Sequence, residues 1–571
     1  MKKKIAQRLI CVVLLCAMLA GIVAGCGNPV PPANDPTNPQ TGVDPNFDPK
    51  QYTEGVTVTI ATPTNARISD FDKNYLTELV EKALGVNIEF VTPCGSSDFN
   101  KKINLMMATG EELPDIIFKV DNKTAAGWAA EGQLLELSRF YENPNFSPNI
   151  TKASQISGID IGTQLADADG NIFCLPRWEQ SEGAQVFKKL WVYKPWLDAM
   201  GLEVPKTAEE FYEACAKVVK RDLNGNGKRD EVAIWGGGWT GNYSGWFGGL
   251  MSPFVYAYDD NYLTVTDDKV DFAFTTDEYK EGLKYVKRLH DIGAFPTEII
   301  TNNAESHDAV LLATNPTVFA FWGYGYTGAN LEIASNYVCI PGLTNEKGEN
   351  GYSHYTVSKP TSAAVITADC KNPEAAFLVA DYFCSELPSL VGRFGIQGEH
   401  WDYYENLKDV LPDWEKYTTS EGETPYIVYN LNTILDPTSE DQWNTTAPQH
   451  HNYRQAGPFI RLAYTAEYGN NNEKKDVLEI LNNKIRSDAV QACLANKPAQ
   501  VFDHGPLTAD ETDESAEAMS TMLKYVREMY CSFITGEKDI DKEWNAYLAE
   551  LEKIGVSDLR DMYQTAYDRV H

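Results

Sequence analysis

The loop Asp222-Leu-Asn224-Gly-Asn226-Gly-Lys228-Arg-Asp230-Glu231 sets oxygen-bearing side chains at alternating positions with glycines between them. A short loop of that composition can curl around a hard cation and turn several oxygens inward. The side chains of Asp222, Asn224, Asn226, Asp230 and Glu231 supply five oxygen donors, and the loop reads as a calcium site. An EF-hand loop opens in the same way but requires a bidentate Glu at its twelfth position. Ala233 stands there, and the carboxylates arrive early at Asp230 and Glu231. The motif is EF-like without being an EF-hand. The alternative is a solvated Asn/Gly turn that binds nothing.

A second kind of chemistry is suggested by glycines set beside large aromatics. The blocks are Trp235-Gly-Gly-Gly-Trp239, Tyr243, Trp246-Phe-Gly-Gly249 and Trp322-Gly-Tyr-Gly-Tyr-Thr-Gly328. Such rings can stack on the apolar C–H faces of sugars where the backbone comes close to a ligand. Trp239, Trp246, Trp322, Tyr324 and Trp401 are the stacking candidates, with Arg177 and Glu399 as polar partners. The alternative for each ring is a place in the core. Gly323 to Gly328 matches GxGxxG in letters, but it is aromatic and lacks an acidic ribose partner at the expected distance. There is no P-loop, HExxH or GxSxG, and His450-His451 reads as loop rather than as a zinc site. The 81 Asp and Glu residues leave a glycosidase pair open, since only geometry would reveal one.

The elements that position these groups can be read around them. Thr207-Ala-Glu-Glu210 has capping-box spacing, and Phe211, Cys215, Val218 and Val219 form one apolar helical stripe. A packed helix therefore delivers the chain to the cation loop, which gives the ion a structural role. Val56 to Ile60 and Val86 to Val91 read as strands flanking a helix with Leu76, Leu79, Val80, Ala83 and Leu84 on its apolar face, a parallel β-α-β unit. Ile116-Ile-Phe118 reads as a short buried strand. Asn372-Pro-Glu374 opens a helix, and apolar stripes from Met519 to Tyr567 make the C-terminal region helical.

Length and charge bound the rest. The chain has 571 residues, 43% of them hydrophobic, and a formal net charge of -32, enough to build two or more lobes with an acidic surface. Such a field repels nucleic acid. Met1 to Gly25 has the basic head and short apolar core of an export signal, and its removal takes the charge from -32 to -36. It ends at Val23-Ala24-Gly25-Cys26, which is similar to a bacterial lipobox and makes Cys26 the lipid-modified N-terminus. Residues 26–50 read as that cysteine followed by a disordered tether, so folding is expected to begin near Val56. Cys94, Cys174, Cys215, Cys339, Cys370, Cys384, Cys493 and Cys531 lack CxxC spacing and read as mostly free thiols, with Cys215 in the core.

Several blocks taken together resemble the extracellular solute-binding proteins of carbohydrate ABC importers, in the large lipoprotein branch that includes alginate-binding proteins. They are Gly110 to Ile117, Asp169 to Pro176, Trp196 to Thr207, the cation loop, Cys370 to Ala376 and Leu559 to Arg569. Cys174 stands where that family usually has Gly, and Pro195 where it often has Asp.

The resemblance implies an α/β, two-lobed periplasmic-binding-protein-like (type II) fold with a hinge, a ligand cleft and a helical C-terminal region. It also implies a structural Ca2+ held by the five side chains above and the backbone carbonyl of Lys228. The expected division is 51–176 for the first lobe, 177–354 for the second, 355–425 for a return to the first and 426–571 for helices serving the second lobe and hinge. The implied role is a monomeric, non-enzymatic receptor on the extracellular face of the bacterial cell membrane. It would be anchored through lipid on Cys26, capture a sugar or oligosaccharide and pass it to ABC permease subunits, with no nucleic-acid partner. A surface-anchored glycoside hydrolase, or a receptor for peptides or other solutes, would share the export signal and acidic surface.

Overall fold

Val58 and Ile60 alternate with less buried neighbours in the first strand, β1 (Thr57–Ala61), whose β-branched side chains suit a pleated surface. The structure, a computed structural model, describes residues 42–64, 68, 70–91, 94–95, 98–239, 244–258, 261–300, 310, 316–325, 331–407, 426–429, 431, 457–462, 467–469, 477–502 and 507–569. Cys26, Tyr243 and His450-His451 lie outside them. A helix at Tyr75–Leu84 follows β1, its first turn capped by Asn74 Oδ1 accepting from the Leu76 amide at 3.0 Å. It leads to β2 (Asn87–Val91), which pairs with β1 in parallel as the β-α-β spacing predicts.

The strands then separate into two sheets. β3 (Ile116–Phe118) is buried throughout and β4 (Cys174–Glu179) follows it. The chain crosses to β5 (Lys189–Tyr193), β6 (Val232–Trp235), a hairpin of β7 (Leu263–Thr266) and β8 (Lys269–Phe272), β9 (Val318–Gly323) and β10 (Tyr337–Ile340). It crosses back to β11 (Thr361–Ile366), and then forms β12 (Trp401–Tyr403), β13 (Ile427–Tyr429), β14 (Phe459–Arg461) and β15 (Glu467–Gly469). The first sheet runs β14-β4-β11-β3-β1-β2 and the second β10-β5-β9-β6. Each has its own core, the first around Ile60, Ile117, Phe377 and Val379, the second around Trp191, Phe319, Trp322 and Tyr530.

Among the described residues, 180–188 and 341–360 pass between the cores; later in the chain Leu462 belongs to the first core and the helix Val477–Ala495 packs on the second. That helix and the helices Ala509–Thr535, Ile540–Ile554 and Val556–Asp568 close the second lobe. The first core extends beyond residue 425, where the return was expected to end, because Ile427, Ile460 and Leu462 are buried in it.

The tether expected through residue 50 also ends earlier. Asp44 N donates to Asn145 Oδ1 at 2.7 Å, and Phe47 packs on Tyr52 and Phe146 with ring centroids 5.9 and 5.5 Å away. One large aromatic in a polar run is enough to dock it, since a ring buries far more apolar surface than its neighbours. Among the described residues no helix is long and apolar enough to cross a membrane.

Candidate functional site

The two passages between the cores run side by side. Arg177 and Thr361 face each other in the antiparallel pairing of β4 with β11, and the Thr356 amide donates to the Gln185 carbonyl at 2.8 Å. Between these two ties the strands part around a cavity of about 180 Å³, lined by Arg177, Trp178, Glu179, Ser181, Ala184, Gln185, Thr356, Val357, Ser358, Lys359 and Thr361. Trp178 is buried and donates Nε1 to Ser358 Oγ at 3.0 Å, bridging the passages. Glu179 accepts from Arg461 Nε at 3.1 Å, which brings β14 to the same place.

Hydroxyls, an amide and both signs of charge line one small space. That array can satisfy a polyhydroxylated solute, whose donors and acceptors are equally mixed. Of the residues singled out from sequence, Arg177 lies in this lining, its guanidinium 5.5 Å above the Phe459 ring.

Tyr324 lies beside the first passage. The residue is 40% exposed, and its ring lies 5.6 Å from that of Phe187 and 4.7 Å from Lys189 Nζ. A Cβ on Gly183 would fall 3.1 Å from the Tyr324 ring, so the passage backbone runs directly against it. Phe187 and Tyr324 thus form an accessible aromatic pair next to Ala184 and Gln185 of the cavity. Phe187, Ser358 and Lys359 were missed from sequence. The signal available was their position at the boundaries between the lobes.

Trp246, Trp322 and Trp401 are fully buried, and the structure corrects their assignment as stacking platforms. Trp246 Nε1 donates to the Gly238 carbonyl at 2.9 Å and Trp401 Nε1 to that of Gly395 at 2.7 Å. The glycines beside the aromatics make room for these indoles: a Cβ on Gly236 would meet Trp246 at 2.5 Å, and one on Gly249 would meet Trp322 at 2.0 Å. Close packing, not ligand approach, explains that composition. Trp239 is half-buried in the same cluster, 5.1 Å from the Tyr530 ring and 5.9 Å from Arg527. Glu399 is exposed in the turn before β12, its carboxylate 3.7 Å from His400 Nε2. Neither residue lines the cavity.

The cation loop follows the helix Ala208–Val218, which begins with the expected reciprocal capping box between Thr207 and Glu210. Cys215 is buried on that helix. Gly225 and Gly227 take φ of 71° and 81°, the left-handed conformation that lets the loop curl. Asp222 accepts from the amides of Asn226 and Gly227 at 3.1 and 2.8 Å, and the Lys228 amide donates to Asn226 Oδ1 at 2.8 Å. Asp230 accepts from Nδ2 of Asn224 at 3.2 Å and of Asn226 at 3.0 Å, bonds that hold its carboxyl below the usual carboxylate range, Asn226 contributing most.

Glu231 is buried. Its Oε1 accepts from the amides of Leu223 and Asn224 at 2.6 and 2.9 Å, while Oε2 is buried with no hydrogen-bond partner. Among the described residues no three acidic, histidine or cysteine side chains converge on one point. The loop's carboxylates are turned instead to its own amides. The donor set still fits a hard cation, since it is all oxygen and includes one buried oxygen that lacks a donor. Turning the two Asn amides over would replace their N–H groups by carbonyl oxygens.

Comparison with known proteins gives the frame for these sites. The family model for bacterial extracellular solute-binding proteins matches residues 65–386. The fructooligosaccharide ABC transporter substrate-binding protein FusA of Streptococcus pneumoniae serotype 4 is 26% identical over 575 residues, covering 98% of this chain and 97% of FusA. The structure of S. pneumoniae FusA in complex with kestose has a TM-score of 0.68 at 22% identity, over 90% of this chain and 99% of that one. A FusA EF-hand mutant in complex with fructo-nystose gives the same TM-score at 21% identity and the same coverage. Alginate-binding protein AlgQ2 without calcium ion has a TM-score of 0.62 at 17% identity, over 90% of this chain and 98% of that one. These likenesses show the two-lobed α/β fold. The family match runs through both cores and both paired passages, so it takes in the cavity as well as the frame, and the chain belongs to the bacterial extracellular solute-binding protein family.

Proposed function

We propose that this protein is a lipid-anchored receptor that captures an oligosaccharide in the cavity between the paired passages and delivers it to an ABC-type importer. The observation that carries the reading is the cavity itself, where polar side chains from Arg177 to Gln185 meet those from Thr356 to Thr361. It lies on the two passages that join the cores, so a ligand bound there favours whichever arrangement of the lobes it contacts better. Arg177, Ser358 and Lys359 orient hydroxyls, and the Phe187–Tyr324 pair offers a face for a sugar ring. A chain that aligns almost end to end with a protein named for fructooligosaccharides makes those sugars the first to test.

The cation loop belongs to the same proposal. Ca2+ bound by Asp222, Asn224, Asn226, Asp230, Glu231 and the Lys228 carbonyl would stabilise the second lobe and take no part in solute contact. The EF-hand mutant of FusA and the calcium-free AlgQ2 support that ion by analogy. The anchor is Cys26 at the end of the export signal, holding the receptor at the extracellular face of the membrane.

The experiment is a thermal-shift screen of residues Gly27 to His571, which keep the docked Asp44 and Phe47, against fructooligosaccharides, other neutral oligosaccharides and uronic acids, with calcium and with chelator. A ligand at one hundred times its dissociation constant stabilises the fold by about 2.7 kcal/mol. A sugar that raises the melting temperature and is recovered intact supports the receptor. A sugar that is cleaved, or no response to any sugar, overturns it.

A further inference from the structure

Two cysteines from distant parts of the chain meet beside the passages. Cys339, on β10, and Cys493, in the helix Val477–Ala495, bring their Sγ atoms to 3.8 Å across 154 positions of sequence. Both are free thiols, Cys493 buried and Cys339 half-buried. Val186, Val490, Leu494 and Tyr355 pack around them in a small apolar cluster of its own. The buried ammonium of Lys189 is fixed nearby by donating to the Val186 carbonyl at 2.9 Å.

We propose that Cys339 and Cys493 form a reversible disulfide by exchange with extracellular disulfide compounds, stapling the helix Val477–Ala495 to β10. The family to which the chain belongs is extracellular, where disulfides form and persist. Closing the sulfurs from 3.8 Å to a bonding distance of about 2.0 Å asks for a shift of about 1.8 Å, within the reach of side-chain rotation. Cys339 is the less buried residue of the pair, and the exchange begins there. Its thiolate attacks a small disulfide RS–SR, forming Cys339–S–S–R and releasing one thiol RSH. The Cys493 thiolate then attacks the Cys339 sulfur, the mixed bond breaks, and a second RSH leaves. The two protein thiols have lost two electrons and two protons, and the reagent has gained both.

The surroundings suit Cys493 to that second step. Its thiol is drawn below the ordinary thiol range by the hydrogen bond from Cys339 and by the Lys189 charge; the same bond and burial push Cys339 up, the Lys189 charge opposing them, so the attack by Cys339 is the slower step. Lys189 acts as a positioning residue here, since it touches no outside reagent. The staple would hold the helix that also reaches the first passage, where Gln491 Nε2 donates to Glu182 Oε2 at 2.7 Å.

The test uses the full chain, equilibrated in glutathione buffers of graded oxidised-to-reduced ratio, quenched by alkylation and mapped by peptide mass spectrometry. The expected result is a Cys339–Cys493 crosslinked pair lighter by two hydrogens, lost in both C339S and C493S, with the oxidised form melting higher because a long loop is closed. K189M should slow crosslink formation about tenfold near pH 7, with the difference vanishing at alkaline pH where the thiolate forms without help. Peptides that stay unlinked while other cysteines oxidise, or a glutathione adduct that remains on Cys339 without transfer, overturn the disulfide. An unchanged K189M rate overturns the role of the lysine alone.

Discussion

Trp178 and Ser358 stand 180 positions apart in the sequence and meet through one hydrogen bond, indole Nε1 to Oγ at 3.0 Å, that ties the end of β4, where the first passage begins, to the second passage. Because Trp178 is buried, removing its acceptor leaves an indole N–H with nowhere to donate. Ser358→Ala should cost about 1–3 kcal/mol of unfolding free energy, read from urea denaturation. It should also weaken oligosaccharide binding, read by calorimetry. Stability unchanged by the substitution would mean that the bond is not holding the passages.

The accessible and the buried aromatics should separate cleanly in a mutational test. Tyr324→Ala and Phe187→Ala remove a ring pair, exposed at Tyr324 and half-buried at Phe187, beside the first passage. Each should weaken sugar binding by about 0.5–1.5 kcal/mol, up to about tenfold, with little effect on melting. Trp322→Ala empties a site in the second core and should cost about 3–5 kcal/mol of stability. If the Tyr324 and Phe187 variants bind as tightly as the parent protein, the sugar does not rest there.

Calcium should raise the melting temperature by a few degrees when present at about one hundred times its dissociation constant. A chelator should reverse the shift. Glu231→Gln keeps an acceptor for the Leu223 and Asn224 amides but removes the charge, so it should abolish the calcium response while leaving the ion-free protein near its parent stability. A calcium response that survives in Glu231→Gln would place the ion elsewhere.

Acid stability carries a signature of Asp381. This carboxyl is buried in the first core and accepts from the Asn149 amide, Asn149 Nδ2 and the Ile150 amide at 3.2, 2.7 and 3.0 Å. Burial pushes its pKa up to about 7, and those three bonds oppose the shift. The folded state therefore keeps a proton that the unfolded chain releases near pH 4. Its contribution is fully present below that value and is lost as pH rises through about 7. Asp381→Asn should flatten the slope of unfolding free energy between about pH 4 and 7, and an unaltered slope would show that the carboxylate is ionised when folded.

Lys189 produces the opposite slope at alkaline pH. Burial lowers its pKa to about 8, with Arg486 adding to the effect. The unfolded chain holds that proton up to about pH 10.4, so stability should rise between about pH 8 and 10 and be lost as pH falls back through 8. Lys189→Met should remove the rise.

What was legible in the sequence was local. The Thr207–Glu210 capping box, the Asn74 cap and the β1–β2 crossover follow from residues a few positions apart, and all three form. The curl of the cation loop follows in the same way from Gly225 and Gly227. The aromatic blocks were ambiguous because a glycine that admits a ligand and one that admits an indole are the same residue. Gly249 and Trp322 belong to separate segments, and only the fold brings them together. The cavity was invisible for a related reason. Each of its two sides is an unremarkable polar run, and the chemistry lies in their pairing.

That pairing has a mechanical consequence. A single connection between two bodies permits bending and twisting about every axis. Two strands tied at Arg177–Thr361 and again at Gln185–Thr356 behave as a ribbon, soft to flexure across its face and stiff to torsion and shear. On the receptor reading proposed above, such a ribbon would favour one rotation of the lobes over the others, so that selectivity could be written into the geometry of approach as well as into the contacts.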